Sequence, residues 1–449
     1  MKRNNYIVVL GAGESGVGAA ILAKKKGFDV FVSDKGVISD KYRSILDEHT
    51  ISYEEGIHTE IEILSASEII KSPGIPEKAP IIVQLKKEGI PVISELEFAA
   101  RYTDAKLICI TGSNGKTTTT LLTYHILKQA GLHVGLAGNI GNSLALQVAQ
   151  ESFEYYVIEI SSFQLDDMYD FKADIAILLN ITPDHLDRYE YAFQNYINSK
   201  FRILQNMSSC DSFIYCSDDE VLIKEIQART IYPQSFAYTT NNDNSKQAYL
   251  DDNQIQINLT HKDSLQMNIN EMLLKGKHNY GNTMAAAIAA QIVDIKNDSI
   301  RESLRTFTGV EHRLEKLSFT VRGVEFINDS KATNVNSTWY ALESMDENVI
   351  WIAGGTDKGN EYDSLYDLAK TKVKALICLG VDNEKLIKNF TGKIEVITEA
   401  KSMKEAVTKA YNLAQKGDTV LLSPACASFD LFKNYIDRGI QFKEEIRNL

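Results

Sequence analysis

The stretch Ile108–Thr119, which reads I-C-I-T-G-S-N-G-K-T-T-T, constrains the fold of this 449-residue chain more than any other segment. The apolar run Leu107–Ile110 predicts a buried strand, and a glycine-containing turn follows it. Beyond Lys116 the apolar residues take helical spacing as far as Gly131, which stands where a helix would end. A strand, a glycine turn and a helix in this order surround a polyphosphate with backbone N–H groups.

In such a phosphate-binding loop Lys116 reaches the outer phosphates, and the Thr117 hydroxyl coordinates Mg²⁺. The spacing departs from the common G-x-x-x-x-G-K-[ST] pattern, because Ile110 stands five residues before Gly115. On these residues alone, a plain strand-turn-helix connection is the alternative to nucleotide binding.

A second glycine pattern, G-x-G-x-x-G at Gly11–Gly16, follows the predicted strand Tyr6–Leu10. The next predicted strand, Val30–Ser33, leads into Asp34, where dinucleotide-binding βαβ units carry a ribose-reading acid. A lone glycine pattern is a weak signal. Three interpretations stay open, namely a tight turn without ligand, NAD binding, and binding of a nucleotide diphosphate.

Composition and charge narrow the class of protein. The length predicts two to four domains, and 44% apolar with 24% charged residues is typical of soluble globular proteins. Apolar runs stay far below the ~20 residues of a membrane span, so we expect no membrane insertion and a cytoplasmic location. The net charge of −12 argues against nucleic acid as a partner. The few cysteines lack metal-ligand spacing and are expected to be reduced: Cys109, Cys210, Cys216, Cys378 and Cys426.

Changes of pattern predict further α/β segments. The first domain ends near Tyr102–Asp104, and a third begins near Gly309. The segment from Cys210 to Leu274 predicts short alternating strands, and Phe319–Phe326 predicts a hairpin about Arg322 and Gly323. Parallel strands collect their ligands at one edge, so we expect three polar loops of the third domain to share it: Asp329–Asn334, Gly354–Gly359 and Pro424–Phe432.

Glu159 and His185 follow successive predicted strands after the phosphate loop, where they suit Mg²⁺. Taken singly, a solvated glutamate and a turn-capping histidine are the alternatives. Lys200 on its own predicts a solvated helix lysine, and Cys426 a small buried thiol. Four other charged residues, taken singly, predict surface positions: Arg313, Asp329, Lys331 and Lys358.

Taken together, the motifs resemble the Mur ligase family. The chain carries T-G-S-N-G-K-T-T at Thr111–Thr118, G-N-I-G at Gly138–Gly141, E-I-S-S-F-Q-L at Glu159–Leu165, P-D-H-L-D-R-Y at Pro183–Tyr189, K-H-N at Lys277–Asn279 and H-R-L-E at His312–Glu315. Two further motifs resemble the members that add D-glutamate: N-D-S-K-A-T-N at Asn328–Asn334 and L-S-P-A-C-A-S-F-D at Leu422–Asp430.

The resemblance implies an α/β protein of three domains. Residues 1–103 would form an N-terminal Rossmann-like domain that binds UDP, and residues 104–308 a central P-loop ATPase with a parallel sheet plus a smaller β-sheet. Residues 309–449 would form a C-terminal Rossmann-like domain that binds the amino acid. The implied activity is ATP-dependent addition of D-glutamate to UDP-N-acetylmuramoyl-L-alanine through an acyl phosphate, a step of peptidoglycan precursor synthesis.

The resemblance also assigns site residues. The UDP-substrate would contact Gly13, Ser15, Asp34, Lys35, Ser72, Pro73, Gly74, Asn139 and His185. ATP would contact Gly112, Ser113, Asn114, Gly115, Lys116, Thr117, Thr118, Asn279, Asn282, Arg313 and Asp329. D-Glutamate would contact Thr333, Lys358, Ser428, Asn434 and Tyr435. The implied catalytic residues are Lys116, His185, Lys200 and Arg313.

The resemblance further implies two Mg²⁺ ions. Thr117 and Glu159 would bind one ion. His185 and Lys200, the latter carbamylated by CO₂, would bind the other.

Three other functions are alternatives to a D-glutamate-adding ligase. A dehydrogenase would use the first glycine pattern with NAD but leaves the phosphate loop unexplained. A P-loop regulatory switch would hydrolyse nucleotide whatever amino acid is present, and the chain lacks an N-K-x-D guanine-reading motif. A folylpolyglutamate-type ligase belongs to the same superfamily. We expect small-molecule substrates and a monomer.

Overall fold

The computed structural model describes residues 4–184, 186–317, 320–345, 348–357 and 359–449, without the side chains of Asp187 and Asn336. These residues form two compact units. The first runs to Lys275 and includes Asn279–Phe307, and the second comprises Gly276–His278 and Thr308–Leu449. The predicted domain limits stay predictions. Across the described ranges, no helix has the length and apolar character needed to cross a bilayer.

The first unit opens with five parallel strands in the order β3-β2-β1-β4-β5, covered by helices. Strand β1 is buried at every position, as its continuous apolar run predicts. The elements are β1 Tyr6–Leu10, α1 Glu14–Lys25, β2 Asp29–Asp34, α2 Asp40–Glu48, β3 Ser52–Glu55, α3 Glu60–Leu64, β4 Glu68–Lys71, α4 Pro80–Lys87, β5 Val92–Ser94 and α5 Glu95–Ala100.

The same unit contains a second sheet of nine strands in the order β14-β13-β12-β11-β10-β9-β6-β8-β7. Its elements are β6 Lys106–Thr111, α6 Lys116–Gln129, β7 Val134–Gly138, α7 Leu144–Gln150, β8 Tyr155–Glu159, α8 Ser162–Asp166, β9 Ile175–Leu178, α9 Phe193–Phe201, β10 Ser212–Cys216, α10 Glu220–Ala228, β11 Gln234–Tyr238, β12 Ala248–Asp251, β13 Gln254–Ile257, β14 Leu265–Asn268, α11 Lys277–Ile292, whose first two residues belong to the second unit, and α12 Asn297–Thr306.

The sequence predicts short alternating strands over the whole segment from Cys210 to Leu274, but the first half of the segment is different. This half is a parallel βαβ unit formed by β10, α10 and β11. The Asp219 side chain caps α10 by accepting from Leu222 N, and this local cap competes with the strand pattern. The predicted smaller sheet is the antiparallel set β12–β14, which joins β11 through the single residue pair Tyr238 and Ala248.

The second unit has a six-stranded sheet in the order β15-β16-β20-β17-β18-β19, parallel except for β15. Its elements are β15 Glu315–Lys316, β16 Glu325–Asn328, α13 Val335–Glu343, β17 Val349–Ala353, α14 Tyr366–Lys372, β18 Val373–Leu379, α15 Glu384–Phe390, β19 Val396–Ala400, α16 Met403–Leu413, β20 Thr419–Leu422 and α17 Tyr435–Arg447.

The predicted hairpin of this unit is present. Val321 and Val324 pair across a turn in which Arg322 and Gly323 both have positive φ. Phe319, where the predicted hairpin began, lies outside the described residues.

One apolar core runs through both sheets of the first unit. Helices α1 and α7 approach each other closely, since a Cβ on Gly18 would lie 2.1 Å from Ser143 Oγ. The buried Glu95 carboxylate at the start of α5 accepts from Ser143 Oγ (2.7 Å) and Ala145 N (2.6 Å), at the start of α7. The two sheets therefore share packing and buried polar contacts.

Two more polar contacts join the sheets. Glu97 accepts from the backbone N–H groups of Tyr169, Asp170 and Phe171 at 2.9 to 3.1 Å. Lys71, at the end of β4, forms a buried ion pair with Asp167 at 2.8 Å. Buried carboxylates need such partners, and together these contacts fix helix α5 and the end of β4 against the loop between α8 and β9.

Candidate active site

The phosphate loop connects β6 to α6, as the sequence predicts. Gly112 and Gly115 have φ values of +149° and +83°, a region that favours glycine. Asn180, at the end of the neighbouring strand, holds the loop from both sides. Its Oδ1 accepts from Asn114 N (2.8 Å) and its Nδ2 donates to Asn114 O (3.0 Å). Sequence reasoning missed Asn180, although its place near the end of the predicted strand Ala173–Thr182 was a usable signal.

Lys116 begins α6, and its ammonium group folds over the loop. Nζ donates to Gly112 O at 2.8 Å and to Ser113 O at 2.9 Å. The predicted nucleotide residues of α11 lie beside the loop, because a Cβ on Gly115 would be 2.4 Å from Asn282 Oδ1. Asn282 Nδ2 in turn donates to Asn279 Oδ1 at 3.2 Å. The loop thus presents a lysine and a helix N-terminus, the arrangement that binds phosphate.

Glu159 ends β8, in register with Ile110 of β6. Its carboxylate is 1% exposed. One oxygen accepts from Asn139 Nδ2 at 2.8 Å, whereas Oε2 has no hydrogen-bond partner among the described residues. A buried carboxylate oxygen without a partner is costly unless a cation meets it, so Glu159 fits a divalent metal. Asn139, predicted to contact the UDP-substrate, thereby lies beside the predicted metal ligand.

Lys200 lies in α9 and is buried, so the alternative of a solvated helix lysine is wrong. Its Nζ donates to Thr111 Oγ1 (3.1 Å) and to Gly112 O (2.9 Å). Burial lowers the pKa of this ammonium well below its usual range and Lys116 lowers it further, against the opposing effect of Asp184. A lysine with a lowered pKa has a larger neutral fraction, which is the form that reacts as an amine.

A cavity of about 390 Å³ brings several of these side chains together. Lys116 and Lys200 line it, together with Asn139 and Gly74. Residues predicted for phosphate, metal and UDP-substrate therefore share one space. His185, predicted as catalytic and metal-binding, lies outside the described residues.

Arg188 also lines this cavity, and sequence reasoning quoted its motif without giving it a role. Its guanidinium donates to Pro73 O (3.1 Å) and Gly74 O (3.2 Å) and stacks 4.2 Å from the Phe163 ring centroid. It thus connects the loop after β4 to the central sheet.

A second cavity, of about 750 Å³, lies at the carboxyl ends of β1, β2 and β4. The predicted UDP residues Gly13, Asp34, Lys35, Ser72 and Gly74 line it. Ser15 lies in the first turn of α1. Asp34 shapes the cavity, because its carboxylate accepts from Ala12 N and from Gly36 N, both at 2.7 Å.

In the second unit, strands β16, β20 and β17 are neighbours, so the three predicted loops share one edge of the sheet. Asp329 is buried there and accepts from Ser423 Oγ (2.8 Å) and Leu314 N (3.1 Å). Burial raises the pKa of Asp329 to about 7, and Arg313 opposes this rise. Arg313 Nε is buried without a partner among the described residues. This donor is suited to an anion.

The predicted amino-acid residues lie on or near these loops. Ser428 is buried and Thr333 half-buried. Asn434 caps α17 by accepting from Asp437 N at 2.9 Å, and the carbonyl of Tyr435 accepts from Ser330 Oγ. Lys358 lies outside the described residues. Cys426 is a buried thiol, as predicted.

Arg438 was missed by sequence reasoning, and its position in α17 gave no local signal. The side chain is 1% exposed. Its guanidinium donates to Ser330 O (2.8 Å), to Cys426 O (3.2 Å) and to Gly354 O (3.4 Å). Burial lowers the pKa of Arg438 to about 10. One buried cation thereby ties together the three loops of this edge.

Comparison with known families covers most of the chain. Residues 6–80 match a model described as the MurD N-terminal domain. Residues 110–290 match the Mur ligase middle domain, and residues 312–426 the Mur ligase, glutamate ligase domain.

Curated relatives are similar over their full length. A protein of Bacteroides fragilis named UDP-N-acetylmuramoylalanine–D-glutamate ligase is 57% identical over 450 residues, covering 100% of both chains. Proteins of the same name from Porphyromonas gingivalis and Christiangramia forsetii are 57% and 53% identical and cover at least 99% of each chain.

Solved structures share the fold at lower identity. A pseudomurein peptide ligase type C from Methanothermus fervidus has a TM-score of 0.63 at 21% identity, covering 99% of this chain and all of that one. UDP-N-acetylmuramate-alanine ligase from Thermotoga maritima has a TM-score of 0.63 at 17% identity, covering 99% of each chain.

Proposed function

Since this chain belongs to the Mur ligase family, we propose that it joins D-glutamate to UDP-N-acetylmuramoylalanine, as its relatives' shared name implies, and that cleavage of ATP to ADP and phosphate drives the reaction. The observation that carries the proposal is the cavity in which the phosphate-loop lysine Lys116 meets Lys200 and the loop of Gly74. A phosphate-binding loop beside a second ligand loop suits phosphoryl transfer onto a bound acid. A dehydrogenase would leave that loop without a role.

The proposed reaction has two steps. A carboxylate is a poor electrophile, so the carboxylate of the UDP-substrate first attacks the γ-phosphorus of ATP, which releases ADP and gives an acyl phosphate. The amine of D-glutamate then attacks the acyl carbon, and the tetrahedral intermediate collapses to the amide with release of phosphate and a proton. Lys116 and Arg313 would offset the negative charge that these steps move.

The proposal includes two Mg²⁺ ions and a carbamate on Lys200. Thr117 and Glu159 would hold one ion, and His185 with the carbamate the other. Bound Mg²⁺ would neutralise charge on the phosphoryl oxygens. Two observations favour this assignment. Glu159 Oε2 is a buried oxygen that no described residue meets, and the Lys200 ammonium donates to uncharged oxygens within the described ranges.

The amino-acid site is proposed for the loops tied by Arg438. Lys358, with the hydroxyls of Thr333 and Ser428, would select a substrate that carries an extra carboxylate. The UDP group is proposed for the cavity at Asp34 and Ser72. The composition and the reduced cysteines favour a cytoplasmic enzyme, and we propose that it acts as a monomer.

The decisive experiment measures phosphate release from ATP with UDP-N-acetylmuramoyl-L-alanine and one amino acid at a time. We expect release with D-glutamate and none above background with D-alanine, L-lysine or L-glutamate. Lys116→Ala should reduce the rate by about two orders of magnitude or more, because a preorganised charge is removed, while its melting temperature stays near that of the wild type. Equal release with a neutral amino acid would contradict the proposed specificity. Release without any amino acid would indicate a nucleotide-hydrolysing switch.

A further inference from the structure

The UDP cavity extends beyond the residues that sequence assigns to it. Its wall continues along the loop after β3, where Ile57 and His58 line it. His58 is half-buried against the end of β2. Its Nδ1 lies 2.7 Å from Ser33 Oγ. This contact decides what the other ring nitrogen can do.

The hydrogen-bond chain fixes the tautomer of His58. Glu54 accepts from Ser33 Oγ (2.6 Å), from Thr59 N (2.8 Å) and from Thr59 Oγ1 (2.5 Å). These bonds outweigh burial and lower the pKa of Glu54, so it is an ionised carboxylate that can only accept. The Ser33 proton therefore points to Glu54, and the Ser33 oxygen must accept from His58 Nδ1–H.

With its proton on Nδ1, the neutral ring carries a lone pair on Nε2. Burial lowers the pKa of His58, with Lys35 acting in the same direction and with Glu54 and Asp34 opposing, so the ring is neutral at pH 7 and above. The two nitrogens flank Cε1 and their hydrogen-bonding directions diverge in the ring plane, so Nε2 is directed away from the Ser33 hydroxyl. No described residue donates to it.

The other acceptors in this wall are less suited to a buried ligand. Asp34 already uses both oxygens for backbone N–H groups. Glu60, at the start of α3, is exposed to solvent. Around them the cavity is apolar, with Ile57, Ile75 and Ile81 in its wall. An apolar slot with one directed acceptor is suited to a flat ring that presents a single N–H group.

We infer that His58 is a specificity-determining residue, whose Nε2 accepts a hydrogen bond from the imide N3–H of the uracil base. This inference rests on the proposed function for the identity of the nucleotide. It explains a choice among pyrimidines, because N3 of cytosine is an acceptor and would face the lone pair of Nε2. An unpaired acceptor facing a buried acceptor is strongly disfavoured.

The test measures binding of UDP and of CDP to the full-length protein by calorimetry, without ATP or amino acid. We expect the wild type to favour UDP by about tenfold or more, the size of one lost hydrogen bond. His58→Phe keeps a flat ring but no acceptor, and should bind UDP and CDP with nearly equal affinity. His58→Gln can offer its amide oxygen and should regain part of the preference. His49→Phe, on the exposed end of α2, is the matched control and should behave as the wild type.

In the ligase assay His58→Phe should raise KM for the UDP-substrate about tenfold, with kcat and the KM for ATP and for D-glutamate unchanged. The inference is wrong if His58→Phe keeps the wild-type ratio of UDP to CDP affinity. It is equally wrong if both affinities fall together, since His58 would then contact the ribose or the phosphates. An inactive wild type that still prefers UDP would contradict the proposed function and leave the role of His58 intact.

Discussion

Lys200 is buried away from the solvent that normally keeps a lysine charged. Its ammonium lies beside the phosphate loop near a second lysine, Lys116, and two uncharged oxygens accept its hydrogen bonds. A buried cation in this position is unfavourable, whereas conversion of the amine to a carbamate would supply an anionic oxygen. The chemistry of this single residue is therefore what the proposed metal site depends on.

We predict that Lys200→Ala is nearly inactive and that formate or acetate restores part of its rate, because a small carboxylate replaces the missing anion. Lys224→Ala removes an exposed lysine of α10 and serves as the control, with normal activity and no response to formate. Labelling of the wild type with ¹³CO₂ should give a carbamate signal that Lys200→Ala lacks. Full activity of Lys200→Ala, or no signal in the wild type, would return Lys200 to a purely structural role.

Arg438 is a positioning residue, because its guanidinium donates to the backbone carbonyls of three loops. We predict that Arg438→Met raises the KM for D-glutamate at least tenfold and leaves the KM for ATP within about twofold, since the loops of Ser330, Gly354 and Cys426 lose a shared donor. Arg438→Lys should recover part of the affinity. Equal increases of all KM values would indicate general unfolding, which circular dichroism would detect.

At the scale of elements, helix α5 joins the two sheets of the first unit. Glu95 and Glu97 are both buried on it. Glu95 accepts from a backbone N–H group of α7, and Glu97 accepts from three in the loop between α8 and β9. Burial raises the pKa of Glu95 to about 7, above its ordinary value of 4.5, although Ser143 and Ala145 lower it. The stability of this contact should therefore depend on pH.

Whether Glu95 makes the protein more or less stable as the pH rises depends on where it loses its proton in the unfolded and in the folded chain. The unfolded chain loses the Glu95 proton near pH 4.5 and the folded chain only near 7, so the contribution to stability is complete below pH 4.5 and is lost as the pH rises to 7. The loss is at most about 3 kcal/mol.

Glu95→Gln keeps an acceptor and cannot ionise. We predict that it is more stable than the wild type at pH 8, by about 1 to 3 kcal/mol, and equal to it at pH 4.5. Urea unfolding at both pH values measures this difference. Glu88→Gln, at the exposed end of α4, should show no such difference. A Glu95→Gln protein that is less stable at pH 8 would show that the carboxylate stabilises the contact in its ionised form.

At the scale of the whole molecule, the described chain forms two compact units although it has three sheets. The first two sheets share one apolar core, the Lys71–Asp167 ion pair and the contacts of α5. The third sheet has core clusters of its own on its two faces. We therefore expect the parts of the chain that fold independently to be those with a separate apolar core, so that three sheets give two folding units.

We predict that a fragment of residues 309–449 folds by itself, with a cooperative urea transition and native-like circular dichroism. A fragment of residues 1–103 should be much less stable, because it exposes apolar surface of the shared core and leaves Glu95 and Glu97 without their donors. Residues 1–308 should restore that stability. The prediction fails if residues 1–103 alone unfold at the same urea concentration as residues 1–308.

Several parts of the site follow from the sequence because their geometry is local. The glycines of the phosphate loop permit the positive φ that its turn needs, the following residues form the helix that Lys116 begins, and Glu159 lies at the end of a buried strand. The order of buried strands also predicted three loops at one edge of the third sheet. Such features need only a few consecutive residues, so the sequence determines them directly.

Other features were decided by tertiary structure, because they depend on residues far apart in the chain. Asn180 is hydrogen-bonded to Asn114, which lies 66 positions earlier in the chain, and Arg438 is hydrogen-bonded to Ser330, which lies 108 positions earlier. The Nδ1 proton of His58 is set by Ser33, 25 residues earlier, and Lys200 owes its lowered pKa to burial against a loop 88 residues away. Side chains of these types are solvated in most proteins. Only the packing of distant elements removes water from them and supplies their partners, so local pattern alone left their roles undetermined.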